Sequence, residues 1–258
     1  GRGQGTGAAY KPWLTVHDLP SRGRIHRVPG ITVGRVHHLL SDGEYNIFMP
    51  CDWNQRIVDI REQHPLDRFE TYKIARSLGI KPPETSSGTP YVLTTDFLLV
   101  VETDTERSLF ARSFKYSSYL SEKRTLEKQE IERRYWKERG VDWRIVTESD
   151  FDITLIRNIS LVHPFHSLSG INEPYLGCHR DIALNILANV DRNPSQTLLN
   201  FCKQIANNMG VPLKTTKLVA KHLIARRILL TDMSSPYDIG FRRMGAYKLD
   251  MEAANGYL

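Results

Sequence analysis

No stretch of this chain is apolar for the roughly 20 residues that a helix needs to cross a bilayer, and no signal-like hydrophobic region opens it. A membrane-spanning or exported protein is not expected. Cysteine is scarce: Cys51, Cys178 and Cys202 lie far apart with no C-x-x-C pair, which argues against both a disulfide framework and a zinc cage. A reducing, cytosolic setting follows. Internal repeats are missing, and the glycine-rich opening GRGQGTGAAY lacks an initiator methionine, as a trimmed N-terminus would. Acids are in slight deficit, 29 against 35 Lys and Arg, and the net charge of +6 leans toward an anionic partner without choosing one. The 258 residues are 40% hydrophobic, enough for one large domain or two small ones, and two are expected.

The segment to about residue 35 carries Arg2, Lys11, Arg22, Arg24, Arg27 and Arg35 against the single acid Asp18. It reads as an extended basic arm, either contacting a DNA backbone or merely solvated. VGRVHHLLSDGEYNIFM then turns from strand to helix, with Ser41 and Glu44 at the spacing of a capping box and Pro50 placed to end or kink the helix. RIVDIREQHPL reads as a strand, FETYKIARSLG as a short helix stopped by Gly79, and IKPPETSSGTP as a loop. YVLTTDFLLVVE and SLFARSFKY form a predicted antiparallel hairpin through TDTER. A charged helix from about Glu122 to Arg139 follows, with Glu130 and Arg134 at i,i+4, and VDWRIVT returns as a strand. The order implies an α/β domain with a mixed sheet and helices on its faces.

Beyond residue 161 the texture changes. HPFHSLSG resembles a linker, and three helical patterns follow before a hairpin-like tail. That order is the one found in winged-helix modules, although a helical partner-binding domain gives the same pattern. Lys214, Lys217, Lys221 and Arg226 lie largely off the apolar positions of the third helix, as a stripe for DNA phosphates, for an acidic partner or for solvent.

Three residues invite a chemical reading. Asp96 interrupts an apolar strand, where a carboxylate is costly to bury without a metal or strong hydrogen bonds. Glu44 can join it from the neighbouring helix, and Lys115 sits near the end of the next strand. Two carboxylates suffice for magnesium, which keeps several waters, and a lysine can orient the attacking water and stabilise developing charge in phosphodiester hydrolysis. The bland alternatives stay open: Glu44 as a helix cap, and Asp96 with Lys115 as a cross-strand ion pair. Of the neighbouring His37 and His38, at most one can face such a site. Tyr135 and Trp136 read as core packing rather than a base-stacking platform.

The blocks GRGQG, KPWLTV, GRVHHLLSD-x-E, VDIREQ-x-PL, TTDFLL and KRTLEKQEIERRYW, in this order over residues 1–160, resemble the TnsA endonucleases of heteromeric cut-and-paste transposons. The resemblance implies a restriction-endonuclease-like fold over residues 1–161, followed by a winged-helix-like domain over 162–258. It implies a Mg2+ site, with Mn2+ as a substitute, that cleaves the 5′ ends of the transposon, with Glu44, Asp96 and Lys115 in the family's active-site positions. It also implies two partners, a transposase subunit that cuts the 3′ ends and an ATP-dependent regulator. One position departs: relatives carry a glutamine two residues before the lysine, and this chain has Ser113. The missing ligand is then expected from Ser113 itself, from water, from the Phe114 carbonyl or from an acid such as Glu132. The rival reading is a non-catalytic winged-helix adaptor that binds DNA or protein.

Overall fold

The basic N-terminal segment does not remain an extended arm in the computed structural model, which describes residues 1–18, 24–85, 88–236 and 238–257. Strands β1 (His26–Pro29) and β2 (Val36–Leu39) pair antiparallel as a ribbon. Helix α1 (Asp42–Trp53) follows, and then strand β3 (Ile57–Pro65). The first residues lie against β3: Tyr10 is buried and donates its hydroxyl to the Glu62 carbonyl at 3.1 Å, Gly7 N–H reaches Asp59 at 3.1 Å, and Trp13 N–H reaches the Gln63 carbonyl at 3.2 Å. Part of the positive charge is used inside the fold, since Arg2 pairs with Asp18 at 2.9 Å and Arg35 forms a two-pronged contact with the buried Glu62. Lys11, Arg24 and Arg27 are exposed, and Arg22 lies outside the described residues.

Pro50 neither ends α1 nor stops its last turn. That turn is held by Asp52, whose buried carboxylate accepts the N–H groups of Ile31 at 2.7 Å and Thr32 at 2.9 Å from the ribbon. Two charge-assisted bonds of this kind offset the backbone bond that proline cannot donate.

Helix α2 (Arg68–Ser77) leads to the hairpin of β4 (Thr94–Glu102) and β5 (Arg107–Phe114), and α3 (Lys123–Lys137) carries the chain over to β6 (Asp142–Val146). The sheet order is β3-β4-β5-β6, with the first three strands antiparallel and β6 parallel to β5. The parallel pair follows from the helical crossover, because a tight turn can only reverse a strand. The core between the sheet and helices α2 and α3 holds Leu66, Ile74, Leu98, Ala111, Ile131, Tyr135 and Trp136. Tyr135 and Trp136 are thus core residues. Glu130 pairs with Arg134 at 3.1 Å as spaced, and also with Arg133 at 2.6 Å. This is the expected α/β architecture, a mixed sheet flanked by helices.

The chain divides into two compact units, Gly1–Phe151 and Asp152–Leu258, about ten residues before the texture change in the sequence. The difference is helix α4 (Ile153–Val162), whose start Asp152 caps by accepting the Leu155 N–H at 2.9 Å. Its buried Ile156, Ile159 and Val162 belong to the second unit's core, where α4 packs on α7 (Leu213–Ala225). Between them lie α5 (His179–Asn189) and α6 (Leu198–Met209), the latter stopped by Gly210 at φ +63°. Strands β7 (Leu229–Leu230) and β8 (Lys248–Leu249) form a short antiparallel ribbon before α8 (Met251–Tyr257). Among the described residues no helix is long and apolar enough to cross a membrane, and the three cysteines are free.

Candidate active site

Asp96 stands near the start of β4, in the register that pairs Phe97 with Arg112 on β5. Its Oδ2 accepts the Phe114 N–H at 2.7 Å, which fixes the carboxylate across the end of the ladder. Lys115 lies one residue past β5, with Nζ 3.5 Å from the same oxygen and 2.6 Å from the Phe114 carbonyl. The cross-strand contact expected of Asp96 and Lys115 is therefore present, and it points into a cleft rather than across an open sheet face.

Glu44 comes from the first turn of α1. Its N–H donates to Ser41 Oγ at 3.1 Å, which is the serine half of a capping box. The glutamate half is redirected, because the carboxylate accepts the N–H of Leu40 at 3.0 Å and takes a bond at 3.2 Å from Gln63 Nε2. The same amide nitrogen lies 3.5 Å from Asp96 Oδ1. Cap and cluster are thus one arrangement. Gly43 makes it possible: a Cβ there would collide with the Phe114 ring, so only glycine lets α1 come this close to the end of β5.

The electrostatics follow from burial and proximity. Burial first, and the charge of Asp96 second, push the Glu44 carboxyl up to about 8. For Lys115 burial works downward, but Asp96, Glu132 and Glu44 outweigh it and hold the ammonium above its ordinary value. The lysine stays charged at neutral pH.

Ser113 is buried and turned toward α3, where its hydroxyl donates to Glu132 at 2.5 Å. Thr95 donates to the same carboxylate oxygen at 2.7 Å and receives the indole N–H of Trp136 at 2.7 Å. Burial, and then Asp96, raise the Glu132 carboxyl. Ser113 and Glu132 thus form a pair beside the cluster. Neither histidine joins it: His37 is buried against Glu62, with Nδ1 at 2.8 Å, and His38 Nδ1 lies 3.5 Å from the Val16 N–H.

Gln63 is the functional candidate that sequence reasoning missed. It is buried in β3 and held at φ +49°, a left-handed conformation rare for a residue with a side chain. Its Oε1 accepts the Thr94 hydroxyl at 2.9 Å. A glutamine in a strand carries no cue to such a position, whereas a glycine or asparagine would have marked it.

Asp96, Lys115 and Glu132 line a cleft of about 640 Å3, together with Trp13, Tyr91, Arg68 and Lys128. Among the described residues no three His, Cys, Asp or Glu side chains gather around one metal position. The carboxylates of Glu44 and Asp96 share the Gln63 amide, and the Phe114 carbonyl lies beside Lys115. An all-oxygen set with two carboxylates suits a small hard cation that keeps several waters. The residues present therefore fit a divalent ion.

In the second unit Lys214, Lys217 and Lys221 of the predicted stripe lie on α7, and Arg226 caps its end. Lys214 pairs with Glu173 at 2.8 Å, and Lys221 Nζ lies 5.0 Å from the centre of the Phe165 ring. Lys217 and Arg226 are exposed. Lys214, Lys217 and Lys221 border a groove of about 390 Å3 floored by Phe165, Leu213 and Leu218.

Residues 54–148 match the family model described as TnsA-like endonuclease N terminal, and residues 150–233 the one described as TnsA endonuclease C terminal. The first match contains Gln63, Asp96, Lys115 and Glu132, while Glu44 precedes it. The chain is 38% identical over 206 residues to the transposon Tn7 transposition protein TnsA of Escherichia coli, which covers 80% of this chain and 72% of that protein.

Proposed function

Because the chain belongs to the TnsA endonuclease family, the endonuclease subunit of Tn7-type transposases, we propose that Glu44, Asp96 and Lys115 are the residues with which it cuts DNA. Membership of the family carries a divalent-metal requirement. Mg2+ is the ion proposed, with Mn2+ as its substitute, held by Glu44 and Asp96 with help from the Phe114 carbonyl. The reaction is hydrolysis of the phosphodiester at the 5′ ends of the transposon.

When bound, the ion supplies charge neutralisation and polarisation of the scissile phosphate. The chain's own groups do the rest. Asp96, fixed by the Phe114 N–H, and Glu44, fixed by the Leu40 N–H, set where the phosphate oxygens lie. Lys115 leaves the Phe114 carbonyl to orient the attacking water and to stabilise the negative charge that builds on phosphorus. Arg68 and Lys128 at the cleft wall attract the flanking phosphates, and Trp13 and Tyr91 offer faces for a base. Glu132 holds Ser113 and keeps a third acid beside the cluster. The observation that supports this reading most directly is the bond from the Phe114 N–H to Asp96, with Lys115 at 3.5 Å from the same oxygen.

The second unit reads as a winged-helix-like module, with α5, α6 and α7 followed by the β7–β8 ribbon. Its Lys217, Lys221 and Arg226, with Lys214, are proposed to meet DNA or the protein partners, which are a 3′-end-cutting transposase subunit and an ATP-dependent regulator. The test is 5′-strand nicking of transposon ends in the assembled complex. Asp96→Ala and Lys115→Ala are each expected to cut it at least about 100-fold, the scale of a lost electrostatic group. Full cleavage by either variant would remove the proposed site.

A further inference from the structure

Gln63 occupies the space that a shared cation would need. Its Nε2 faces Glu44 Oε2 at 3.2 Å and Asp96 Oδ1 at 3.5 Å, at the limit of a hydrogen bond. Glu44 Oε2 already accepts the Leu40 N–H, so it faces the amide as an acceptor, and the end of Gln63 turned toward it is the NH2 end. The other end, Oε1, accepts the Thr94 hydroxyl. Strand β3 presents this side chain from a backbone at φ +49°, a strained state for a glutamine and of the kind that persists where surroundings over-determine it. The Trp13 N–H holds the Gln63 carbonyl, and the Arg35–Glu62 contact anchors the preceding residue.

We infer that Gln63 is the neutral side-chain ligand of the divalent-ion site, in place of the ligand expected at position 113, where Ser113 is committed to Glu132. The inference rests on the proposed role of Glu44 and Asp96. In the ion-free chain the amide separates two acids that would otherwise repel. When a cation enters, an NH2 group cannot remain against it, and the carboxamide turns so that Oε1 faces the ion. Thr94 permits this at no cost in hydrogen bonds, because a hydroxyl that donates to Oε1 can accept from Nε2 after the turn. A neutral amide oxygen is as hard a donor as the carboxylates beside it.

Calorimetric titration of the full-length chain with Mn2+, paired with melting curves in chelator, separates the roles. Gln63→Gly relieves the backbone conformation and removes the amide, so it is expected to fold yet bind Mn2+ about ten-fold or more weakly. Gln63→Glu supplies an oxygen but no donor. It is expected to lower the melting temperature in chelator, and to show a larger Mn2+-induced rise than the wild type. A folded Gln63→Gly protein that binds Mn2+ as the wild type does would overturn the inference, and so would a Gln63→Glu protein without the larger rise. Asp96→Asn serves as the control. If it binds Mn2+ like the wild type, or if the wild type takes up none, the site itself is misplaced; if it loses binding while Gln63→Gly does not, only the role of Gln63 falls.

Discussion

At the scale of single residues, Glu44 shows how one side chain can serve the fold and the site together. Its raised carboxyl has a sign that can be tested. The folded chain holds the Glu44 proton longer than the unfolded chain, so this contribution to stability is full below about 4.5 and is lost as pH rises through about 8. Melting temperature measured in chelator should therefore fall across that interval, and Glu44→Gln should flatten the slope. A wild-type slope unchanged by the substitution would show that Glu44 is not the group responsible. Asp96 was legible in the sequence as a carboxylate interrupting an apolar strand, with Lys115 near the end of the next, but residue chemistry alone favoured an ordinary ion pair. The family blocks around them made the nuclease reading specific. Gln63 was not legible at all, because its role depends on a backbone angle that no neighbouring residue announces.

At the scale of elements, sequence periodicity and punctuation located α3, the β4–β5 hairpin, β6 and the three helices α5 to α7, because each has an apolar face of regular period or a glycine stop. What it did not give depends on contacts made far along the chain. The β1–β2 ribbon is held by Arg35 and Asp52 reaching distant partners, and α1 runs through Pro50 for the same reason. The close approach of α1 to the end of β5 is a further case, and it can be broken at one atom. Gly43→Ala puts a methyl group into the Phe114 ring, and overpacking of this kind costs about 1–3 kcal/mol. Urea denaturation should show that loss, and nicking in the assembled complex should fall with it, since α1 carries Glu44 and Phe114 precedes Lys115. A variant with wild-type stability and activity would mean that the two elements are not locked by this contact.

At the scale of the whole molecule, the chain is two compact units joined at Phe151 and Asp152. The change of texture in the sequence placed the join later, because α4 lacks the charge and glycine punctuation that marks the other helices. Residues 1–151 and 152–258, expressed separately, are each expected to melt cooperatively, as read by circular dichroism. A noncooperative melt from either would show that the cut at 151 divides a folding unit. The first unit draws its cluster from α1, β3, β4, the end of β5 and α3, so a change in one element is conditional on the others. Ser113 illustrates what this means for change. With its hydroxyl sealed against Glu132, a longer side chain at position 113 has no room unless α3 gives way as well. Positions 113 and 132 are thus interlocked, and a substitution that enlarges the first is tolerated only in company with one that yields at the second.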